Sequence, residues 1–323
     1  MARYIVKRIL YALPVLLGVT ILVFVLISLA PGDPAVVMLG NDATPEAIQR
    51  MHEEFGLDQP YHIQLLEYTK NVFTELDFGI SYRTKLPVAE EILLRLPITI
   101  KITFISMIIG TIAGIAAGII SAVRQYSWVD RITTVIALFG ISAPSFWLAL
   151  MLVIVFAVNL QWLPPSGSYG PEYFILPCLT LGLQAASIVM RMTRSSMLEV
   201  IRQDYIRTAR AKGQTEWVVV MRHALRNALI PIITAIGNQT SMLIGGSVLV
   251  ETVFAIPGLG KYIIDSINAR DYPAVQGTIL VISLMTIAIM LAVDIIYGFV
   301  DPRIRASYST RKRKKGAAQN AEK

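Results

Sequence analysis

Cysteine occurs once in the 323 residues, at Cys178, and histidine three times, at His52, His62 and His223. A single thiol closes no disulfide within the chain, and ligands this few and scattered build no metal cluster. Charge is scarce too. Asp, Glu, Lys and Arg make up 16% of the chain, against roughly 25% in an average soluble domain. The patterns G-x-x-x-x-G-K-[ST], G-x-S-x-G and H-E-x-x-H are all missing. Gly260-Lys261 comes nearest to the first, but Tyr262 follows it and Ala255 stands where the earlier glycine belongs. No nucleotide loop, nucleophile elbow or zincin helix is therefore encoded.

What the chain has in quantity is apolar length. It is 54% hydrophobic, with a mean hydropathy of +0.59. This composition predicts an all-α polytopic membrane protein. Six spans of about 20 apolar residues are predicted at residues 9–30, 99–122, 132–159, 176–190, 229–254 and 274–300. The first begins after Lys7 and Arg8 but is too long for a signal-peptide core, and is read as a retained helix. Of the 29 Lys and Arg, 21 fall in residues 1–8, 123–131, 191–228 and 301–323, and only 7 in the alternate segments. By the positive-inside rule both termini are predicted to be cytoplasmic. The basic tail 301–323 then reads as a lipid-headgroup anchor, not a nucleic-acid patch, and the net charge of +7 needs no nucleic-acid partner.

The extracytoplasmic segments are residues 31–98, 160–175 and 256–273. The first holds 11 acidic and 5 basic residues. Within it a short helix is predicted from Pro45 to Phe55, capped by Thr44. In the second span, Ser106, Gly110, Gly114, Gly118 and Ala122 form a small-residue ridge, a surface for close helix packing. Pro144 is expected to kink the third span. The fourth span sets Thr180, Gln184, Ser187 and Arg191 on one face. The fifth does the same with Thr234, Asn238, Ser241 and Gly245. Polar stripes are costly against lipid, so they belong to a translocation path or to interhelical hydrogen bonds. Two acids, Glu251 and Asp294, are embedded in apolar surroundings and are further path or coupling candidates.

The cytoplasmic segment 191–228 is too polar to cross a membrane. Met197 to Lys212 reads as a helix stopped by Gly213, and Thr215 as the cap of a second helix that carries Glu216 in its first turn. Pro231 is expected to open the next span. Small side chains at Thr208, Ala209 and Ala211 beside Gly213 would let a partner approach closely.

The runs Asp204-Tyr205-Ile206-Arg207-Thr208-Ala209-Arg210-Ala211-Lys212-Gly213 and His223-Ala224-Leu225-Arg226-Asn227-Ala228-Leu229-Ile230-Pro231 resemble the EAA loop of ABC-importer permeases. The dipeptide/oligopeptide/nickel branch is the most similar. Leu57-Asp58-Gln59-Pro60, Asp77-Phe78-Gly79, Gly140-Ile141-Ser142-Ala143-Pro144, Trp162-Leu163-Pro164, Glu251-Thr252-Val253-Phe254, Pro257-Gly258-Leu259-Gly260, Arg270-Asp271-Tyr272-Pro273 and Asp301-Pro302-Arg303 extend the likeness along the chain. Arg207 and Thr208 replace the glutamate and first alanine of the general pattern.

The resemblance implies a type I ABC importer permease fold in a bacterial cytoplasmic (inner) membrane. It implies a non-catalytic subunit with no cofactor of its own. Its partners would be two ATP-binding subunits carrying ATP and Mg, a second homologous permease and an extracytoplasmic substrate-binding protein. Arg207, Thr208, Ala209, Arg210, Ala211, Lys212, Gly213, Thr215 and Glu216 would couple to the ATPases. Di- or oligopeptides are the expected cargo, with nickel chelates or glutathione as alternatives. The rival from another class is a proton-coupled secondary transporter using Glu251 and Asp294.

Overall fold

The computed structural model describes residues 2–29, 33–40 and 43–300. Residues 1, 30–32, 41–42 and the tail 301–323, with the anchor and motif read in the tail, lie outside the described residues. Among the described residues five helices are long and apolar enough to cross a membrane; a bent pair makes a sixth span if counted as one. The long helices are α1 (Ala2–Ser28), α5 (Val88–Val123), α8 (Ile175–Ile201), α11 (Leu225–Val253) and α13 (Tyr272–Val300). The bent pair is α6 (Trp128–Ser142) with α7 (Ser145–Leu152), the latter continued by a π-helical stretch, Val153–Asn159.

The expected kink at Pro144 is a break of 111° between α6 and α7. Proline lacks the N–H that would continue α6, and it forces extended backbone on the residue before it. Ala143 has ψ 128, and the carbonyl it frees accepts the Gln184 side-chain amide at 3.0 Å.

The outer segment is largely helical: α2 (Pro34–Leu39), α3 (Pro45–Phe55) and α4 (Tyr61–Glu75). Thr44 Oγ1 accepts the Ala47 amide at 3.3 Å, and Gly56, with φ +62, ends α3 in the left-handed conformation that glycine adopts freely. Helix α5 starts at Val88 instead of Thr99, so its first turns stand outside the apolar span.

Two other expectations need correction. Met197 to Lys212 is not one helix: α8 ends at Ile201, Gln203 is extended, and α9 (Asp204–Ala211) starts in a new direction. The turn lets Ile206 and Ala209 drop into an apolar seat, which a straight helix would not allow. Pro231 lies inside α11 and does not open it. The helix begins as α10 (Glu216–Val218), passes through a π turn at Val219–Ala224 and runs on without a gap. Transmembrane helices tolerate an internal proline because neighbours satisfy the freed carbonyl. The loop 256–273 contains a helix, α12 (Leu259–Asn268).

Helix α8 is central, packed against α5, α6, α7 and α11. The predicted glycine ridge is what seats α5. A Cβ on Gly114 would overlap the Ala186 carbonyl and Val189, and one on Gly118 would overlap Thr193 and the Met190 carbonyl. Backbone lies against side chain with no room between.

Gly114→Val is therefore expected to cost about 1–3 kcal/mol by overpacking. Gly245→Val, where nothing lies within 4 Å, is expected to be near neutral. Thermal unfolding of both variants in one detergent checks the contrast.

Candidate coupling and translocation sites

Around Gly213 the chain forms a ledge below α8 and α11. Gly213 has φ +76, a conformation that a side chain would strain. Its amide donates to the Arg210 carbonyl at 2.9 Å. Across the turn, the Arg210 guanidinium donates twice to the Glu216 carboxylate, at 2.7 and 3.2 Å. Arg207, Thr208, Ala211, Lys212, Thr215 and Glu216 are exposed, and Thr208 Oγ1 donates to the Asp204 carbonyl.

Ala209 is the exception among the coupling candidates. It is buried with Ile206 against Met197, Val219, Val220, Ala224 and Ile232. It therefore belongs to the seat that joins the ledge to α8 and α11, not to the outward surface. Sequence reasoning missed Trp217, which is 73% exposed in the first turn after Thr215. A large aromatic in so polar a stretch is the signal that could have found it.

A second ionic site bolts the ends of three helices together. Asp130, 3% exposed, receives the Arg194 guanidinium at 2.7 and 2.9 Å, the Ser121 hydroxyl and the Tyr126 amide. Ser121 ends α5, Asp130 begins α6 and Arg194 is on α8. None of them had been singled out, because their meeting is a tertiary event.

The two polar stripes have different surroundings. On α8, Thr180 and Ser187 are buried and donate to the Leu176 and Leu183 carbonyls of their own helix. Gln184 serves the Ala143 carbonyl, and Arg191 is exposed. On α11, Thr234, Asn238 and Gly245 are exposed and Ser241 is half-buried. They form one open face with Met242, which is 68% exposed.

The embedded acids are both engaged. Glu251 is fully buried and accepts from Thr99 Oγ1 at 2.8 Å and from the Gly260 and Lys261 amides at 2.7 and 3.1 Å. It caps α12 from α11, a favourable place for a carboxylate. A Cβ on Gly258 or Gly260 would strike this carboxylate, so the glycines of Pro257-Gly258-Leu259-Gly260 are needed for the approach. Glu251 thus holds the outer loop and does not face the open side of α11. Asp294 pairs with Arg8 at 2.8 Å, tying α13 to α1.

Two further carboxylates fix the outer segment to this frame. Asp271 is buried and accepts from the Ser81 hydroxyl and the Tyr82 amide. Glu91 accepts from the Tyr262 hydroxyl at 2.6 Å, and Arg95 lies 4.2 Å from the centre of the Tyr262 ring. Burial, then the hydrogen bond to Glu91, pushes the Tyr262 hydroxyl well above its usual range, so it stays a donor. Among the described residues no group of three or more His, Cys, Asp or Glu could hold a metal ion.

The family described as binding-protein-dependent transport system inner membrane component matches residues 114–306, and the N-terminal family of the same membrane component matches residues 1–103. The chain belongs to this family. It is 44% identical to the dipeptide transport system permease protein DppB of Alkalihalophilus pseudofirmus, covering 94% of this chain and 100% of that protein. It is 45% identical to the glutathione transport system permease protein GsiC of Escherichia coli K12, covering 94% and 99%. The inward-facing MetNI methionine ABC transporter shares the fold, with a TM-score of 0.55 at 21% identity over 65% of this chain and 96% of that one. The all-α importer-permease architecture expected from the resemblance is therefore correct.

Asp130→Asn leaves a partly buried guanidinium without its charge partner. Such a loss costs about 3–5 kcal/mol, and Asp130→Asn is expected to fall at the lower end because Arg194 keeps contact with water. Arg194→Gln in the same background is expected to recover part of the loss, as read by a double-mutant cycle on thermal unfolding.

Proposed function

We propose that this chain is the non-catalytic permease subunit of an ATP-driven importer for short peptides in a bacterial inner membrane, with both termini cytoplasmic. Two separate ATP-binding subunits would carry the ATP and Mg, and this chain would hold no cofactor. A second homologous permease would complete the path, and an extracytoplasmic binding protein would deliver the cargo. The observation that carries the reading is the ledge. Its exposed rim of Arg207, Thr208, Arg210, Ala211, Lys212, Gly213, Thr215 and Glu216 stands on an apolar seat made with α8 and α11. Force applied to the rim reaches those two helices through packed side chains, without an intervening loop.

Closure of the ATPases would push the ledge, rock α8 and α11 together, and open the path outward; hydrolysis would reset it. The open face of α11 is the best-supported path wall: Thr234 and Asn238 on it are exposed and Ser241 is half-buried. On α8, Gln184 and Arg191 could join that wall only if the helix turns, and Thr180 and Ser187 serve packing. The acidic outer segment would receive the binding protein. The similarity to a dipeptide permease supports peptide cargo, and the similarity to a glutathione permease supports glutathione, itself a peptide, as the second reading.

Gly213→Leu is expected to strain the turn and lower both uptake and substrate-stimulated ATP hydrolysis by tenfold or more, as expected for the loss of roughly 1.4 kcal/mol of coupling. The ATPases should still co-purify. Unchanged uptake with unchanged stimulation would refute the coupling role. Uptake that follows the proton gradient and ignores ATP would refute the importer reading.

A further inference from the structure

Between the inner halves of α6 and α8 lies a cavity of about 710 Å³. One wall is apolar and comes from α6, with Ala137, Leu138 and Ile141. The other comes from α8 and carries Arg191, Arg194, Ser195, Glu199 and Arg202. No residue of α11 lines it, so it is separate from the open face assigned to the path.

Its depth can be read from its neighbours. Arg194 is tied to Asp130, in the first turn of α6. In that same turn Trp128 is 75% exposed, with the Arg131 guanidinium 5.3 Å from its ring centre, and Tyr126 just before it is 76% exposed. Exposed tryptophan and tyrosine at the end of a span mark the headgroup level of a bilayer. The inner side is the one rich in Lys and Arg. Arg194 has spent its charge on Asp130. Arg191 and Arg202 are exposed and make no ion pair among the described residues. Arg191 is one turn deeper than Arg194, and Arg202 two turns shallower, at 1.5 Å per residue. Glu199 offsets one of these charges but is itself exposed to water.

We propose that this cavity holds the headgroup of an anionic phospholipid of the cytoplasmic leaflet. Arg191 and Arg202 bracket its phosphate, and an acyl chain lies against Leu138 and Ile141. Basic pockets between helices at the cytoplasmic face suit such headgroups, and guanidinium matches phosphate geometry. The apolar wall is what selects a lipid over a free anion. Because the site leans on α6 and α8 beside the Asp130–Arg194 bolt, an occupied cavity would brace the helix pair from the membrane side.

The test is native mass spectrometry of the full chain, purified in mild detergent with the subunits that accompany it. The probes are phosphatidylglycerol and phosphatidylcholine. One phosphatidylglycerol per chain is expected to be retained in preference to phosphatidylcholine. Each arginine contributes about fivefold, so Arg191→Gln with Arg202→Gln is expected to weaken retention about twenty-five-fold. Leu138→Trp, which fills the apolar wall and leaves both arginines, is expected to weaken it as well. Both sites face solvent or the cavity, and an unchanged unfolding temperature identifies folded variants. Equal retention of the two lipids, or equal retention by wild type and the arginine variant, would overturn the assignment. Displacement of the lipid by millimolar inorganic phosphate would also overturn it, in favour of a soluble anion.

Discussion

The close contact of α5 with α8 is the constraint on which the rest of the structure depends. Gly110, Gly114 and Gly118 remove the side chains that would hold the two helices apart. In a bilayer there is no hydrophobic gain from bringing apolar helices together, so packing at backbone distance has to supply the attraction. Once α5 and α8 form one body, α6, α7 and α11 are placed against it. The Asp130–Arg194 pair bolts on α6, and Gln184 holds the break after it. Helix α11 packs on another side of α8, and the ledge hangs from both.

This frame divides the polar groups by purpose. Buried carboxylates sit where the chain must be fixed: Glu251 at the start of α12, Asp271 at the start of α13, Glu91 against Tyr262. Each is hydrogen-bonded, which is the condition for a buried charge to be tolerated. The groups left open are on α11 and on the ledge. An apparatus that must move needs rigid bodies with few unspent contacts between them, and the described residues are arranged in that way. The cavity at Arg191 and Arg202 adds a third open region on the same rigid body.

Much of this was legible in the sequence where the signal is local. The helix from Pro45 to Phe55 begins at a Thr-Pro pair and ends at a glycine. Gly213 stops α9, and the four-residue spacing of small residues on α5 marks its packing face. What was not legible depends on residues far apart in the chain. Glu251 looked like a path residue because an acid in an apolar run carries no mark of its partner; Thr99 and the Gly260 amide are supplied only by the fold. Ala209 looked like contact surface because smallness alone does not tell which way a side chain points. The break at Arg202-Gln203 carries no proline or glycine, so helix propensity ran through it, and burial of Ile206 decided otherwise.

The central claim is that the open face of α11 lines the path and that nucleotide-driven motion of the ledge exposes it. It is tested most directly by a single cysteine at Asn238, modified from the outer side by a membrane-impermeant thiol reagent in the assembled transporter. Cys178 is buried and gives little background. The account predicts slow modification without nucleotide and a marked acceleration in the ATP-trapped state. Equal rates in the two states would contradict it.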